Sequence, residues 1–352
     1  MNGKDRVKTA LKHQEPDRVP ISCQYTPEIQ RLLEDYTGQK GIDVNVAMGD
    51  DAVIVWEGMV NLFNGKIKEG EIYDTEWGIR FLKKGLYNEI CHNPLSIATT
   101  VDDLKKYPFP LPVTQELIDR AANIIKKYSD NYAIIGAVPL TMWEGAIHLR
   151  GYQQMLEDML TNLRMAETLL DRVMEYHFEI AMALIDLGID ILWLGDDVGM
   201  QSGMLISPNL WRQVFKPRWK MMFQAFKKRN PNLIIAYHSD GGIRPIIPDF
   251  IEIGLDLLNP LQPLSIGMDS FELKKDFGKD LSFFGGIDIQ EALPFGTPRM
   301  VRDEVKKRID AFAPGGGYLC GPTHNIQADT SLENILTMYH TIQNYGQYTV
   351  RY

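Results

Sequence analysis

Apolar positions along this chain follow two alternating patterns after about residue 130. Short runs rich in β-branched and aromatic residues occur at 132–136, 191–194, 233–236, 257–259, 281–284 and 317–319. Between them, apolar residues recur at the three- and four-residue spacing of a helix face over 165–187, 208–228, 243–253, 298–312 and 332–343. Strands alternating with helices imply βαβ units and a parallel sheet. Two earlier runs, 18–23 and 52–56, bring the strand count to eight, which predicts an α/β fold closed as a (β/α)8 TIM barrel. Ser207-Pro208 and Thr297-Pro298 each place a hydroxyl cap before a proline at the first helical position. The segment 65–89 breaks the alternation with short strand-like pieces and many charges. It reads as an inserted hairpin or lid near the barrel mouth, within an insertion covering about 60–130. Residues 94–107 read as a connecting loop and a surface helix. With no internal repeat and no low-complexity tail, residues 1–352 are expected to form one domain.

Composition narrows the functional classes. The net charge of −9, from 46 acids against 37 bases, argues against a nucleic-acid surface, because phosphate binding draws on clustered Lys and Arg. The basic stretch 216–220 lies in a helical pattern and reads as a solvated face. No apolar run approaches a membrane span, and the N-terminus carries no signal-peptide pattern. Cys23, Cys91 and Cys320 are odd in number and widely spaced, unlike a disulfide framework, so a reducing cytoplasm is expected.

In barrels of this type the carboxyl ends of the strands carry the chemistry. One such end reads Ala236-Tyr237-His238-Ser239-Asp240-Gly241-Gly242, and another reads Tyr318-Leu319-Cys320-Gly321-Pro322-Thr323-His324. Side chains two apart on an extended segment share a face, so His238 and Asp240 can point the same way. Imidazole, carboxylate and thiolate all bind Zn²⁺. His238, Asp240, His324 and Cys320 are therefore candidate metal ligands drawn from two distant strands. The remaining ends supply Trp143, Glu144 and His148, then Asp196 and Asp197, then Asn259 and Gln262, and finally Asp288 and Gln290. Glu144, Asp196 and Asp197 are the candidate catalytic acids. Tyr25, Trp143, Asn259, Gln262 and Asp288 are the candidate substrate-binding residues. On the residues alone two bland readings stay open. Asp196 and Asp197 also suit a helix cap, and Cys320 also suits a small core position.

Several of these segments resemble the uroporphyrinogen decarboxylase-like superfamily, and the resemblance runs over nearly the whole chain. It is carried by Glu15-Pro16-Asp17-Arg18-Val19-Pro20, Asp196-Asp197-Val198-Gly199, His238-Ser239-Asp240-Gly241 and Asn259-Pro260-Leu261-Gln262-Pro263. Phe284-Gly285-Gly286-Ile287-Asp288 and His324-Asn325-Ile326-Gln327 extend it. The resemblance implies a (β/α)8 barrel with its site at the C-terminal mouth.

Within that superfamily the decarboxylases resemble one another in an arginine-containing segment after the first strand, which holds a polycarboxylate substrate. Here the segment 22–30 contains no arginine and adds Glu28. Bidentate Arg is the natural holder of carboxylates, so its absence argues against a porphyrinogen with eight of them. The zinc-dependent methyltransferase branch carries His-x-Cys after the fifth strand and a further Cys after the eighth. This chain matches the His with His238, has Asp240 in place of the first Cys, and has His324 near the second with Cys320 four residues earlier. The resemblance thus implies a methyltransferase moving a methyl group from a small methylated substrate to a corrinoid protein. Zn²⁺ would be held by His238, Asp240 and His324 with Cys320, acting as a Lewis acid. The expected partners are that substrate, a corrinoid protein and a second copy of the chain as a homodimer, with no nucleic acid and no membrane. Two other readings are a metal-free decarboxylase or lyase using Asp196 and His324, and a non-catalytic ligand-binding barrel.

Overall fold

The computed structural model describes residues 1–59, 68–85 and 87–348. Its strands are β1 (Ala52–Trp56), β2 (Ile72–Asp74), β3 (Arg80–Lys84), β4 (Tyr87–His92), β5 (Ala133–Pro139), β6 (Ile191–Gly195), β7 (Gly199–Met200), β8 (Gly203–Met204), β9 (Ile234–His238), β10 (Leu257–Asn259), β11 (Ser282–Ile287) and β12 (Tyr318–Pro322). Seven of them pair in parallel in the order β1-β5-β6-β9-β10-β11-β12, with helices on the outside, which gives the curled sheet of a TIM-barrel-like α/β fold. Period-two alternation sorts their side chains. Ala52, Ala133, Ile135, Ala137, Ile191, Trp193, Ala236, Leu257, Phe284 and Leu319 fill the interior. Val53, Ile134, Leu192, Ile235, Tyr237, Leu258, Phe283, Tyr318 and Cys320 pack outward against the helices. Val7 and Leu11 join the interior set, Val7 from the helix Gly3–Ala10 and Leu11 from its C-cap.

The expected first strand, 18–23, is not a regular strand. Pro20 has no amide hydrogen to give to a ladder. The segment instead makes isolated bridges, Ile21 to Cys320 and Tyr25 to Ile326, both parallel. Cys320 N donates to Pro20 O at 2.8 Å and Ser22 N donates to Cys320 O at 3.0 Å on one side. On the other side Asp51 N donates to Ile21 O at 2.7 Å. Two carboxylates take the amides that a neighbouring strand would have taken: Asp51 Oδ2 accepts from Ile21 N at 2.8 Å, and Asp50 Oδ2 from Cys23 N at 3.0 Å. The barrel closes through this seam.

Proline also divides two helices that the periodicity joins. The stretch 208–228 forms Pro208–Val214 and Lys216–Arg229, broken next to Pro217. The stretch 243–253 begins as a 3-10 turn, Arg244–Ile246, before the helix Ile247–Ile253, with prolines at 245 and 248. Between β1 and β5, β2, β3 and β4 form a three-stranded antiparallel sheet, followed by helices Val101–Lys106 and Gln115–Tyr128. Trp77 of this region is buried against Phe109 and Tyr176. The part of the expected hairpin at 65–67 and at 86 lies outside the described residues.

Asp51 is buried and also accepts from Arg6 Nη1 at 2.5 Å and Arg18 Nη1 at 2.7 Å, so one carboxylate ties the N-terminal helix, the seam and β1 together. Removing it leaves two guanidinium groups and an amide without their acceptor. Asp51→Ala is expected to destabilise the fold by about 3–5 kcal/mol, read as a lowered denaturant midpoint. An unchanged midpoint would show that the seam closes without it.

Candidate active site

Interior alternation carries the polar residues at the top of the barrel. His238 ends β9 on the interior parity of Ile234 and Ala236, and its register partners are Gly195 and Asn259. Beyond it the chain turns at Gly241, whose φ of +82° belongs to the left-handed region. A Cβ there would stand 2.3 Å from Met200 N, so only glycine lets the β7–β8 hairpin approach. Asp240 is fixed by this turn: its amide donates to Asp197 Oδ1 at 2.8 Å, and Gly241 N donates to Gln262 Oε1 at 2.8 Å.

Asn259 sets the tautomer of His238. Its Nδ2 donates to Phe284 O at 3.1 Å, which leaves Oδ1 to face His238 Nδ1 at 2.5 Å. Nδ1 therefore carries the proton and Nε2 presents a lone pair. That lone pair faces two carboxylates, with Asp197 Oδ1 and Asp240 Oδ1 each 3.7 Å from Nε2. Asp197, His238 and Asp240 bring one ligand atom each within 4.8 Å of one another. Asp240 Oδ1 is buried and has no hydrogen-bond partner. Burial and the Asp197 charge push Asp240 up to about 6, against the pull of His238 and Gln262.

Three acceptors that converge on one point with no donor between them suit a divalent cation. The two 3.7 Å separations from His238 Nε2 are close to the edge of about 3.3 Å expected for a tetrahedron of ~2.0 Å bonds. The donor set is two carboxylates and an imidazole, which suits Zn²⁺ and other borderline metals without requiring a thiolate.

Two expected ligands fall outside this trio. Cys320 has outward parity on β12, is fully buried, and receives the Tyr318 hydroxyl at 3.3 Å. Burial pushes its thiol up to about 12. His324 does come close, its ring 5.7 Å from that of His238. Its Nδ1, however, accepts from Asn325 N at 2.8 Å, which puts the ring proton on Nε2. Burial first and the neighbouring His238 second lower it to about 4, so it stays neutral and is a donor rather than a ligand. Asp197, expected as a catalytic acid, stands instead with His238 and Asp240 in the trio.

The other expected residues divide in the same way. Glu144, early in the helix Trp143–Arg150, accepts from Asp197 N at 3.2 Å. Burial, then the charges of Asp197, Asp196 and Asp240, hold it well above the usual carboxylate range. Asp196 is fully buried and its carboxylate is occupied by Met142 N and Glu144 N, both at 3.0 Å. It caps that helix rather than facing a ligand. Asp288 likewise accepts from the amides of Gln290, Glu291 and Ala292 at 2.9–3.0 Å and caps a turn. Trp143 is fully buried against Phe215. Asn259 and Gln262 act on His238 and on the Asp240 turn rather than on the cavity.

A cavity of about 880 Å³ opens beside the cluster, lined among others by Tyr25, Trp56, Leu140, Glu144, Trp193, His238 and His324. It extends into the barrel past the small interior side chain of Ala52. Trp56 and Trp193 meet edge to face at 5.1 Å and form its aromatic wall. Neither tryptophan was singled out from the sequence, although both sit on interior parity at or near strand ends. Arg120 is the one Lys or Arg among the described lining residues, and Glu57 already pairs with it, Oε2 lying 2.5 Å from Nη2.

Two predictions follow from this electrostatics. Nitrogen NMR of the metal-free protein is expected to find His238 protonated on Nδ1 and His324 on Nε2; the reverse assignment would remove the ligand argument. An acid whose folded pKa is raised disfavours the fold once ionised, with no cost below its unfolded value and the full cost above about pH 6 for Asp240. Asp240→Asn is therefore expected to raise the stability of the metal-free protein at pH 8 by on the order of 1–3 kcal/mol, and to have no such effect at pH 4. Urea unfolding at both pH values checks it, and equal shifts at the two would refute it.

The model of the family described as uroporphyrinogen decarboxylase (URO-D) matches residues 89–345. No curated protein matches the sequence. Among solved structures, a methyltransferase from Methanosarcina mazei aligns with a TM-score of 0.74 at 20% identity, over 98% of this chain and 99% of that one. A B12-independent methionine synthase from Shewanella sp. W3-18-1, in complex with selenomethionine, aligns with a TM-score of 0.47 at 13% identity, over 96% and 95%. At 20% identity the likeness to the methyltransferase is one of fold. Among the described residues no helix is long and apolar enough to cross a membrane. With its barrel, its strand-end site and a family match over most of its length, this chain belongs to the uroporphyrinogen decarboxylase family.

Proposed function

We propose that this protein is a metal-dependent methyltransferase that moves a methyl group from a small methylated substrate to a corrinoid protein, with Zn²⁺ held by Asp197, His238 and Asp240. The observation that carries the reading is the set of three converging acceptors beside the cavity, one of them a buried oxygen with no partner. Asp197, His238 and Asp240 would hold the zinc, which would supply Lewis acidity to a lone-pair heteroatom of the substrate. Asn259 keeps His238 Nε2 free for this role by taking the Nδ1 proton. Glu144 is the proton source: as the methyl group leaves, the bonding pair stays on the heteroatom and the Glu144 proton neutralises it. His324 offers its Nε2–H to orient the substrate, and Trp56 with Trp193 shields the site from water.

Decarboxylation of a substrate with many carboxylates is the weaker reading. The described cavity wall offers Arg120 as its single Lys or Arg, and Glu57 already holds it. A cytoplasmic site of action accords with three free cysteines, Cys23, Cys91 and Cys320.

The purified protein is expected to hold about one zinc per chain by metal analysis. His238→Ala and Asp197→Asn should each lose it, and Cys320→Ser should keep it. Methyl transfer to cob(I)alamin, followed by the absorbance of methylcobalamin, should fall at least about 100-fold in His238→Ala and on chelation, with recovery on adding zinc. Zinc lost in Cys320→Ser but kept in Asp197→Asn would overturn the ligand set. Turnover of uroporphyrinogen by the metal-free protein would overturn the function.

A further inference from the structure

Another wall of the cavity carries a buried acid that the proposed chemistry does not use. We infer that Tyr25 is a specificity-determining residue of this cavity, held as a hydrogen-bond acceptor toward its ligand by a one-way chain of hydrogen bonds through Tyr339 to Asp50. The inference rests on the cavity being the substrate site, but its test needs no turnover.

The direction of the chain follows from counting protons. Asp50 is buried at 3% exposure. Its Oδ2 accepts from Cys23 N and from Asn45 Nδ2, both at 3.0 Å, and its Oδ1 accepts from the Tyr339 hydroxyl at 2.8 Å. The Asn45 amide cannot be reversed without loss, because Nδ2 also donates to Cys23 O at 3.0 Å. Tyr339 has one proton, and Asp50 receives it. The Tyr339 oxygen must then accept from Tyr25, with whose hydroxyl it is in hydrogen-bond contact. Tyr25 has therefore committed its own proton and has only lone pairs left. Tyr339 and Asp50 are buried, whereas Tyr25 lines the cavity. A ligand gains there by presenting O–H or N–H. It loses by presenting an ether or carbonyl oxygen, since two facing acceptors leave each other unsatisfied.

The titratable groups facing Asp50 are Cys23, Tyr339, Tyr25 and Asp51. Burial and Asp51 push Asp50 up to about 7, against the three donors that hold it down. The carboxylate form assumed above is thus fully populated at pH 8.5.

Asp50→Asn turns the chain around with no change of shape. The Cys23 and Asn45 donors require the amide oxygen, so the new NH2 group faces Tyr339. Tyr339 must then accept, Tyr25 receives the Tyr339 proton, and Tyr25 offers its own to the cavity. Phenol and anisole serve as the probe pair, since they match in ring and nearly in size while only phenol has a donor. Binding is followed by ligand-observed NMR titration at pH 8.5, with folding of each variant checked by near-ultraviolet circular dichroism. The wild-type protein is expected to prefer phenol about three- to tenfold. The ratio is expected to fall to about one in Asp50→Asn and in Tyr25→Phe. A wild-type ratio near one overturns the inference, as does a preference that survives in either folded variant. A protein that transfers no methyl group yet shows the ratio and its loss in both variants would sustain this inference while the function proposed above fails.

Discussion

The barrel depends on how its irregular seam is closed. Residues 18–25 occupy the place of a strand, yet Pro20 denies them a continuous ladder, and the neighbouring β1 begins only at Ala52. Two adjacent carboxylates bridge the difference. Asp51 gathers Ile21 N, Arg6 and Arg18 at the lower part of the seam, while Asp50 takes Cys23 N one step higher. A buried carboxylate is costly unless its lone pairs are filled, and here backbone amides and guanidinium groups fill them. The same arrangement sets the height and facing of Tyr25, so the closure of the fold and the character of one cavity wall have a common origin.

At the opposite extreme of satisfaction stands the cluster of Asp197, His238 and Asp240. Asn259 meets His238 on the far side of its ring, and the facing Asp240 Oδ1 is left unmatched. Asp240 and Glu144 accordingly lie above the usual carboxylate range, with burial the first cause for both. Burial also pushes the strand-end Asp196 up to about 7, so the difference between the strand ends lies in their donors. Asp196 and Asp288 also sit at strand ends, but each is filled by backbone amides. The contrast separates acids that hold helices from acids that await a ligand, and it does so by counting donors rather than by position in the chain.

Much of this was legible in the sequence because the β-strand period is short and strict. The runs at 52–56, 132–136, 191–194, 233–236, 257–259, 281–284 and 317–319 all became strands of the parallel sheet, and His238 stood at the end of one on interior parity. The seam was less legible because its pairing is carried by side chains of Asp50 and Asp51, which no periodicity reports. Helix breaks at Pro217 and around Pro245 could have been read from the prolines themselves. The metal trio was only partly legible: His238 and Asp240 share a face by spacing, whereas Asp197 joins them from a loop whose course depends on the Gly241 turn. The tautomers of His238 and His324 could not be read at all, since each is set by a partner that only the fold brings near.

Parity also decides the chemistry of the site. A strand residue moved by one position changes from the interior face to the outer face. Cys320 stands one position from Leu319 and one from Gly321, both interior, so its thiol packs among the helices and Tyr318. That leaves the trio Asp197, His238 and Asp240 as a set of oxygen and nitrogen donors. A donor set of two carboxylates and an imidazole is harder than one built on thiolates, and it leaves more positive charge on the bound ion. Such an ion suits a substrate that offers an oxygen or nitrogen lone pair more than one that offers sulfur. With a metal bound as proposed, the outward turn of one cysteine would shift the preference of the cavity, at a site the cysteine itself does not reach.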